Sequence, residues 1–196
     1  MGHGSMAELN VLPILHYIIG MFDPAGIEHS QRVTALCVSL CERVGLKKGS
    51  DELNDISLAA SLHDLGKMGV PESVRRQMGD FIEGERLLME THANIGARIL
   101  HLSTNGKINE DVVKMVRHHH ENWSGSGYPD GLAGENIPYG SRVIRVCDSY
   151  DAATHSRGYR HPMEKADALQ DMEDAQIRGA IYDPKLLRAF LEMMKD

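Results

Sequence analysis

Apolar residues recur every third or fourth position through most of this chain, a spacing that fits helices and little else. Cys37 and Cys41, one turn apart on such a stripe, read as small buried core residues. The periodicity predicts helices over about 7–20, 27–45, 52–65, 82–101, 109–120, 139–154, 163–174 and 184–194. Asp23-Pro24, His161-Pro162 and Asp183-Pro184 open helices, Gly45 and Gly49 follow the end of one, and Pro71 begins a short helical turn. Aromatic residues are only 5% and β-branched runs are scarce, so the expected fold class is all-α. A length of 196 residues suits one domain with a real core. That domain is placed at 6–196, and Met-Gly-His-Gly-Ser at 1–5 reads as an expression remnant.

One segment breaks the period. Asn122 to Pro138, NWSGSGYPDGLAGENIP, holds four glycines and two prolines and predicts a structured loop with neither helix nor strand. Trp123, Tyr128, Leu132 and Ile137 are the side chains expected to pin it.

A net charge of −7 works against binding a nucleic-acid polymer or an anionic membrane, and favours bound divalent cations. The three cysteines, Cys37, Cys41 and Cys147, form no CxxC pair and give no sign of an oxidising compartment. Val11 to Phe22 is too short to span a bilayer and carries Pro13 and His16. The expected location is the cytoplasm. The first helix, apolar along Leu9, Leu12, Tyr17 and Ile18, either covers the core or pairs with a second subunit.

Chemistry concentrates in a few histidines and aspartates. His63-Asp64 lies in LHDLGK near the end of a predicted helix, with Lys67 on the same face. A buried Asp–Lys ion pair beside a core histidine explains that motif nearly as well as a metal does. His29 begins the second predicted helix, His92 lies in THANIG, His118-His119-His120-Glu121 closes another helix, and Asp148 lies in VCDSYDAA. Singly, each has a plain alternative: a solvated His29, a surface His92, an Asp148 that caps a neighbour. Together they put donors on five successive helices, as metal-binding helical bundles do. Imidazole and carboxylate without thiolate suit Fe, Mn, Zn or Co. Seven donors fit two ions sharing a carboxylate better than one ion. His118 reads as solvated, His16, His101 and His161 lack partners at ligand spacing, and Met68, Met89, Met115 and Met172 read as core fillers.

HDLGK at 63–67, THANIG at 91–96, HHE at 119–121, GSGYPDGLAGENIP at 125–138 and DSYDA at 148–152 stand in an order that resembles the HD-GYP domain, a subgroup of the HD phosphohydrolase superfamily. The resemblance runs from about Asp23 to the C-terminus. It implies an HD-domain helical bundle with a long Gly/Pro-rich loop, hydrolysing cyclic di-GMP to pGpG and GMP. It implies His29, His63, Asp64, His92, His119, His120 and Asp148 as metal ligands, with Asp64 bridging. Lys67, Arg157 and Arg160 would hold substrate phosphate, and Tyr128 and Pro129 would shape one side of the site.

Ala25 stands where some relatives place a glutamate for a third metal, so two ions are expected. Iron or manganese is the expected metal, with Zn, Ni, Co or Mg able to occupy a preparation. Ser124 replaces the aspartate of WDGSGYP, and Gly158 the proline of RPYR. A metal-bridging hydroxide would attack phosphorus, with Lys67 and Arg157 meeting the developing charge. The proton donor to the leaving oxygen stays open between His155 and a metal-bound water.

Three other readings stand beside this one: an HD phosphohydrolase for another nucleotide or cyclic dinucleotide, a non-catalytic signalling module, and a diiron oxygenase. The retained ligands weigh against the module, and the GYP loop against the oxygenase. Expected partners are the cyclic dinucleotide and either a second copy of the chain or a signalling protein. Most relatives add a receiver or sensor domain, so the chain is expected to be a stand-alone protein or an excised catalytic piece.

Overall fold

The computed structural model describes residues 11–77, 79–104, 107–155 and 161–195. Among them the fold is helical, with no strand beyond an isolated antiparallel bridge between Ser124 and Ala133. None of the described helices is long and apolar enough to cross a membrane.

Local chemistry sets most of the boundaries. Helix α1 (Leu12–Phe22) buries Leu15 and Ile19 and leaves Tyr17 exposed, so Tyr17 does not cover the core as one alternative held. Leu9 lies outside the described residues. Helix α2 (Pro24–Arg43) begins earlier than its apolar period, because Asp23 caps the Gly26 amide at 3.0 Å and Pro24 takes the first turn. His29 therefore sits in the second turn of α2 rather than at its start. Ser50 caps α3 (Asp51–Leu62).

That helix stops at Leu62, short of the predicted end. His63 and Asp64 fall in the turn that leads into a 3-10 segment, Leu65–Gly69. The cause is tertiary. A Cβ on Gly66 would lie 1.9 Å from the His92 carbonyl oxygen and 2.4 Å from the Gly96 amide nitrogen, so the 3-10 turn lies directly on the α5 backbone. Helix α4 (Glu72–Arg75) is one turn, and α5 (Glu83–Ser103) starts where Glu85 accepts the Ile82 amide.

Helix α6 (Glu110–Arg117) also ends early, so His118, His119 and His120 occupy a turn. The glycine-rich loop follows. It is not wholly irregular as predicted: positive φ at Gly125 and Gly134 folds it so that Ser124 meets Ala133, and Gly134–Asn136 make a single 3-10 turn. Helix α7 (Tyr139–Thr154) crosses the centre, α8 (Lys165–Gly179) runs beyond its predicted end, and Asp183 caps α9 (Pro184–Met193).

The core forms where α2 packs on α3 and α7, α6 joins α3 to α5, and α9 closes over α2 and α7. Leu40, Ile56, Leu62, Leu100, Ile144 and Phe190 are fully buried there. Cys37, Cys41 and Cys147 are buried free thiols, as expected of core residues.

Candidate metal centre

The early ends of α3 and α6 are what assemble the centre. Two turns, His63-Asp64 after α3 and His118 to His120 after α6, face the middle of α5 and α7 and the second turn of α2. Donor atoms of His29, His63 and Asp64 lie within 4.8 Å of one another, and so do those of His92, His119 and His120. Asp64 stands between the groups. Its Oδ2 is 3.5 Å from His63 Nε2 and 3.7 Å from His29 Nε2, while Oδ1 is 3.6 Å from His92 Nε2. Asp148 joins from α7, with Oδ1 3.1 Å from His29 Nε2 and 3.9 Å from His63 Nε2. All seven sequence-predicted donors therefore meet at one place.

Burial disposes of the plainer readings. His92 is 1% exposed and His29 6%, so neither is a surface histidine. Lys67 Nζ does donate to Asp64 Oδ2 at 2.6 Å, but an ion pair alone does not call for three imidazoles around the same carboxylate.

The histidines are oriented from behind. His63 Nδ1 donates to Ala60 O at 2.7 Å, His92 Nδ1 to Met89 O at 2.7 Å, His119 Nδ1 to Val116 O at 2.6 Å, and His29 Nδ1 to Asp151 Oδ2 at 2.6 Å. A proton on Nδ1 leaves Nε2 as a lone pair aimed at the centre, the tautomer that binds metals. Two consequences fit a cation. His63 Nε2 is buried without a hydrogen-bond partner, and His92 Nε2 faces His119 Nε2 at 3.2 Å with no proton left for either to share. Buried lone pairs are costly unless something electropositive lies among them.

Charge states agree. Burial holds His63, His119 and His120 below the usual imidazole range and His92 down at about 4. Burial alone would raise Asp64, but Lys67, His63, His92 and His29 hold it well below the usual carboxylate range. His29 goes the other way. Burial opposes its charge, yet hydrogen bonds to Asp148 and Asp151 push it up to about 9.

Sequence reasoning missed Asp151. This carboxylate, 1% exposed, accepts from His29, from Arg32 at 2.7 and 3.0 Å, and lies 3.1 Å from His155 Nδ1. The signal was present: HSQR at 29–32 and DSYD at 148–151 each repeat a polar group after one helical turn. Asp151→Asn should weaken metal affinity about 10- to 100-fold, the usual scale for losing a carboxylate behind a histidine ligand. Competition against a chelating dye measures it, and unchanged affinity would show that Asp151 does not tune His29.

Glu121, the last residue of HHE, has a role that its position in the motif does not reveal. It is 2% exposed and accepts the amides of Asp130 (2.8 Å) and Leu132 (3.1 Å), so it pins the loop from below. His118, expected in solvent, is instead buried beside Glu121 and Asp130, because the loop folds back over the end of α6. Arg117 clamps Asp130 from the same side at 2.8 and 3.1 Å. A Cβ on Gly127 would come within 2.5 Å of His120 O and 2.3 Å of Asn122 N, so the GYP loop rests on the histidine turn. Tyr128 stacks on His120 with ring centres 4.8 Å apart, and Pro129 follows it half-buried. Ser124 is exposed and bonded to the Ser126 hydroxyl, so that departure lies on the outer side of the loop. Arg157, Gly158 and Arg160 lie outside the described residues.

A cleft of about 470 Å³ opens onto Asp64, His92 and His120, with Lys67, Arg32 and Tyr128 on its rim. Ala25 also lines it and offers no donor where a glutamate would have supplied one. A groove of about 500 Å³ beside α8 and α9 contains none of the candidate ligands.

Comparison with known proteins agrees with this architecture. The HD domain family profile matches residues 13–186. A Thermotoga maritima protein named cyclic di-GMP phosphodiesterase is 34% identical over 95% of this chain and 49% of its own length. A Vibrio cholerae protein named 3'3'-cGAMP-specific phosphodiesterase 2 is 32% identical over 84% of the chain and 30% of its own. The chain thus spans about half or less of these relatives. A solved structure, the HDG"Y"P protein Bd1817 from Bdellovibrio bacteriovorus, superposes with a TM-score of 0.70 at 17% identity, over 87% of this chain and 52% of that one. Profile, helical architecture and the histidine–aspartate centre converge: the chain belongs to the HD domain family and carries the GYP loop of its HD-GYP branch.

Proposed function

We propose that this chain is a metal-dependent phosphodiesterase that hydrolyses cyclic di-GMP to pGpG and on to GMP. The observation that carries the reading is Asp64, with one oxygen toward each donor group and Lys67 against it at the cleft. The same seven residues, His29, His63, Asp64, His92, His119, His120 and Asp148, are the proposed ligands for two divalent ions, iron or manganese. Such a pair supplies Lewis-acid polarisation of a phosphodiester and acidifies a water at neutral pH.

The chain's own groups do the rest. Lys67, half-buried on the rim, meets the negative charge of the phosphoryl oxygens. Arg32, already bound to Asp151, holds positive charge at the same mouth. Tyr128, stacked on His120, and Pro129 wall one side and restrict water. His155 lines the cleft with Nδ1 3.1 Å from Asp151 Oδ1, and is the proposed proton donor to the leaving oxygen in the form that carries protons on both ring nitrogens. Arg157 and Arg160 are proposed phosphate contacts on the family pattern. The reading takes 6–196 as one domain in the cytoplasm, in keeping with three free thiols. Its partners are a cyclic dinucleotide and either a second copy or a signalling protein, not a nucleic-acid polymer or a membrane.

The relatives named for 3'3'-cGAMP favour one second reading, the same chemistry on another cyclic dinucleotide. Anaerobically prepared protein loaded with Mn²⁺ or Fe²⁺ should release pGpG or GMP from cyclic di-GMP, and a chelator should stop it, as read by chromatography. Much faster turnover of 3'3'-cGAMP would replace the substrate. No turnover, with fewer than one ion per chain, would leave a non-catalytic module.

A further inference from the structure

The cleft continues past the candidate ligands to a wall that neither metal nor phosphate uses. Gln77 and Phe81, between α4 and α5, and Met89, in the second turn of α5, line it, and all three are half-buried. Met89 was expected in the core. Instead it stands one turn before His92, whose Nδ1 proton its carbonyl receives, with its side chain on the cleft. Gln77 commits Nε2 to the Asp80 carbonyl at 3.2 Å, which leaves Oε1 as an acceptor. At the end of the wall, Arg75 is tied to Val70 O and Phe22 O, both at 3.1 Å, and lies 5.8 Å from the Phe22 ring centre.

A phosphate calls for cations and N–H donors. A phenyl ring, a thioether and an amide oxygen suit something else: a flat heteroaromatic ring with N–H groups along one edge. We infer that Gln77, Phe81 and Met89 form the subsite for a nucleobase of the substrate, with Arg75 closing its far end. This rests on the nucleotide substrate of the reading above. Phe81 offers a ring to stack on, Met89 fills against the base where it approaches His92, and Gln77 Oε1 accepts from a ring N–H or an exocyclic amino group, both of which guanine has.

The test is calorimetric binding to the Mn²⁺-loaded full chain, using GMP and ribose 5-phosphate. The two share sugar and phosphate and differ by the base. Wild-type protein should hold GMP about ten-fold tighter or more, the scale of one stacked base. Phe81→Ala should remove most of that ratio with Mn²⁺ content as in wild type, while Phe81→Trp keeps it. Gln77→Ala should weaken GMP severalfold, as the loss of one hydrogen bond does. Equal wild-type affinities, or a Phe81→Ala effect of the same size on both ligands, overturn the subsite. Cleavage of cyclic di-GMP with a ratio insensitive to Phe81 sinks the subsite alone. A Phe81-dependent ratio without cleavage of any cyclic dinucleotide keeps the base subsite and removes the phosphodiesterase.

Discussion

Asp64→Ala is expected to abolish cyclic dinucleotide hydrolysis and to leave fewer than two metal ions per chain. The size follows from position. A group behind a ligand changes affinity about 10- to 100-fold, and Asp64 stands in front, with Oδ2 toward His29 and His63 and Oδ1 toward His92. Its loss removes a donor from both groups, so the fall in activity should exceed that range. The substitution also leaves Lys67 without its 2.6 Å partner, at a point where a cation would repel the metals. Asp64→Asn separates chemistry from folding, because it keeps the volume and one acceptor oxygen but loses the charge. Metal analysis and circular dichroism on both variants decide the matter. Two tightly held ions in folded Asp64→Ala protein would rule out the bridging role.

The second large effect comes from a residue with no side chain. At Gly66 an added Cβ would meet backbone, the His92 carbonyl at 1.9 Å and the Gly96 amide at 2.4 Å, and backbone cannot rotate aside. Overpacking usually costs 1–3 kcal/mol and occasionally more, so Gly66→Ala should cost about 3 kcal/mol or more. For a chain of this length that is a fall in Tm of roughly 6–12 °C. The damage is also directed. Moving the 3-10 turn off α5 carries Asp64 and Lys67 away from His92, so metal content should fall in whatever protein still folds. Gly84→Ala is the control: on the same helix as His92, its added Cβ meets nothing within 4 Å. Wild-type Tm and metal content in Gly66→Ala would mean that the two motifs are not held by this contact.

Much of this architecture is written in local pattern. Helical periodicity and the caps at Asp23, Ser50 and Asp183 place most helices within a few residues. The seven donors stand in recognisable motifs because each needs a specific residue type, whatever surrounds it. What the pattern could not carry is where α3 and α6 stop. Nothing local ends them at Leu62 and Arg117; packing of the 3-10 turn on α5, and of the loop on the histidine turn, does. The same blindness put His118 in solvent and Met89 in the core, since both were judged without the segment that covers or exposes them. Asp151 and Glu121 were overlooked for a related reason. Each acts through another group, an imidazole or a loop amide, and a one-turn spacing such as that of Asp148 and Asp151 does not say which group a carboxylate serves.

The loop and the histidine turn have different freedoms as a result of how they are joined. Glu121 grips Asp130 and Leu132, and Gly127 leaves no room above His120, so the underside of the loop is tied to the groups that hold metal. On its upper side the Ser124 amide is held by Ala180 O, but the side chains of Ser124 and Ser126 bond only each other and Asn122 among the described contacts and carry no such obligation. Mutations can therefore accumulate on that outer surface while the inner one stays fixed. A lineage built on this arrangement can alter what its loop meets without first giving up its metals.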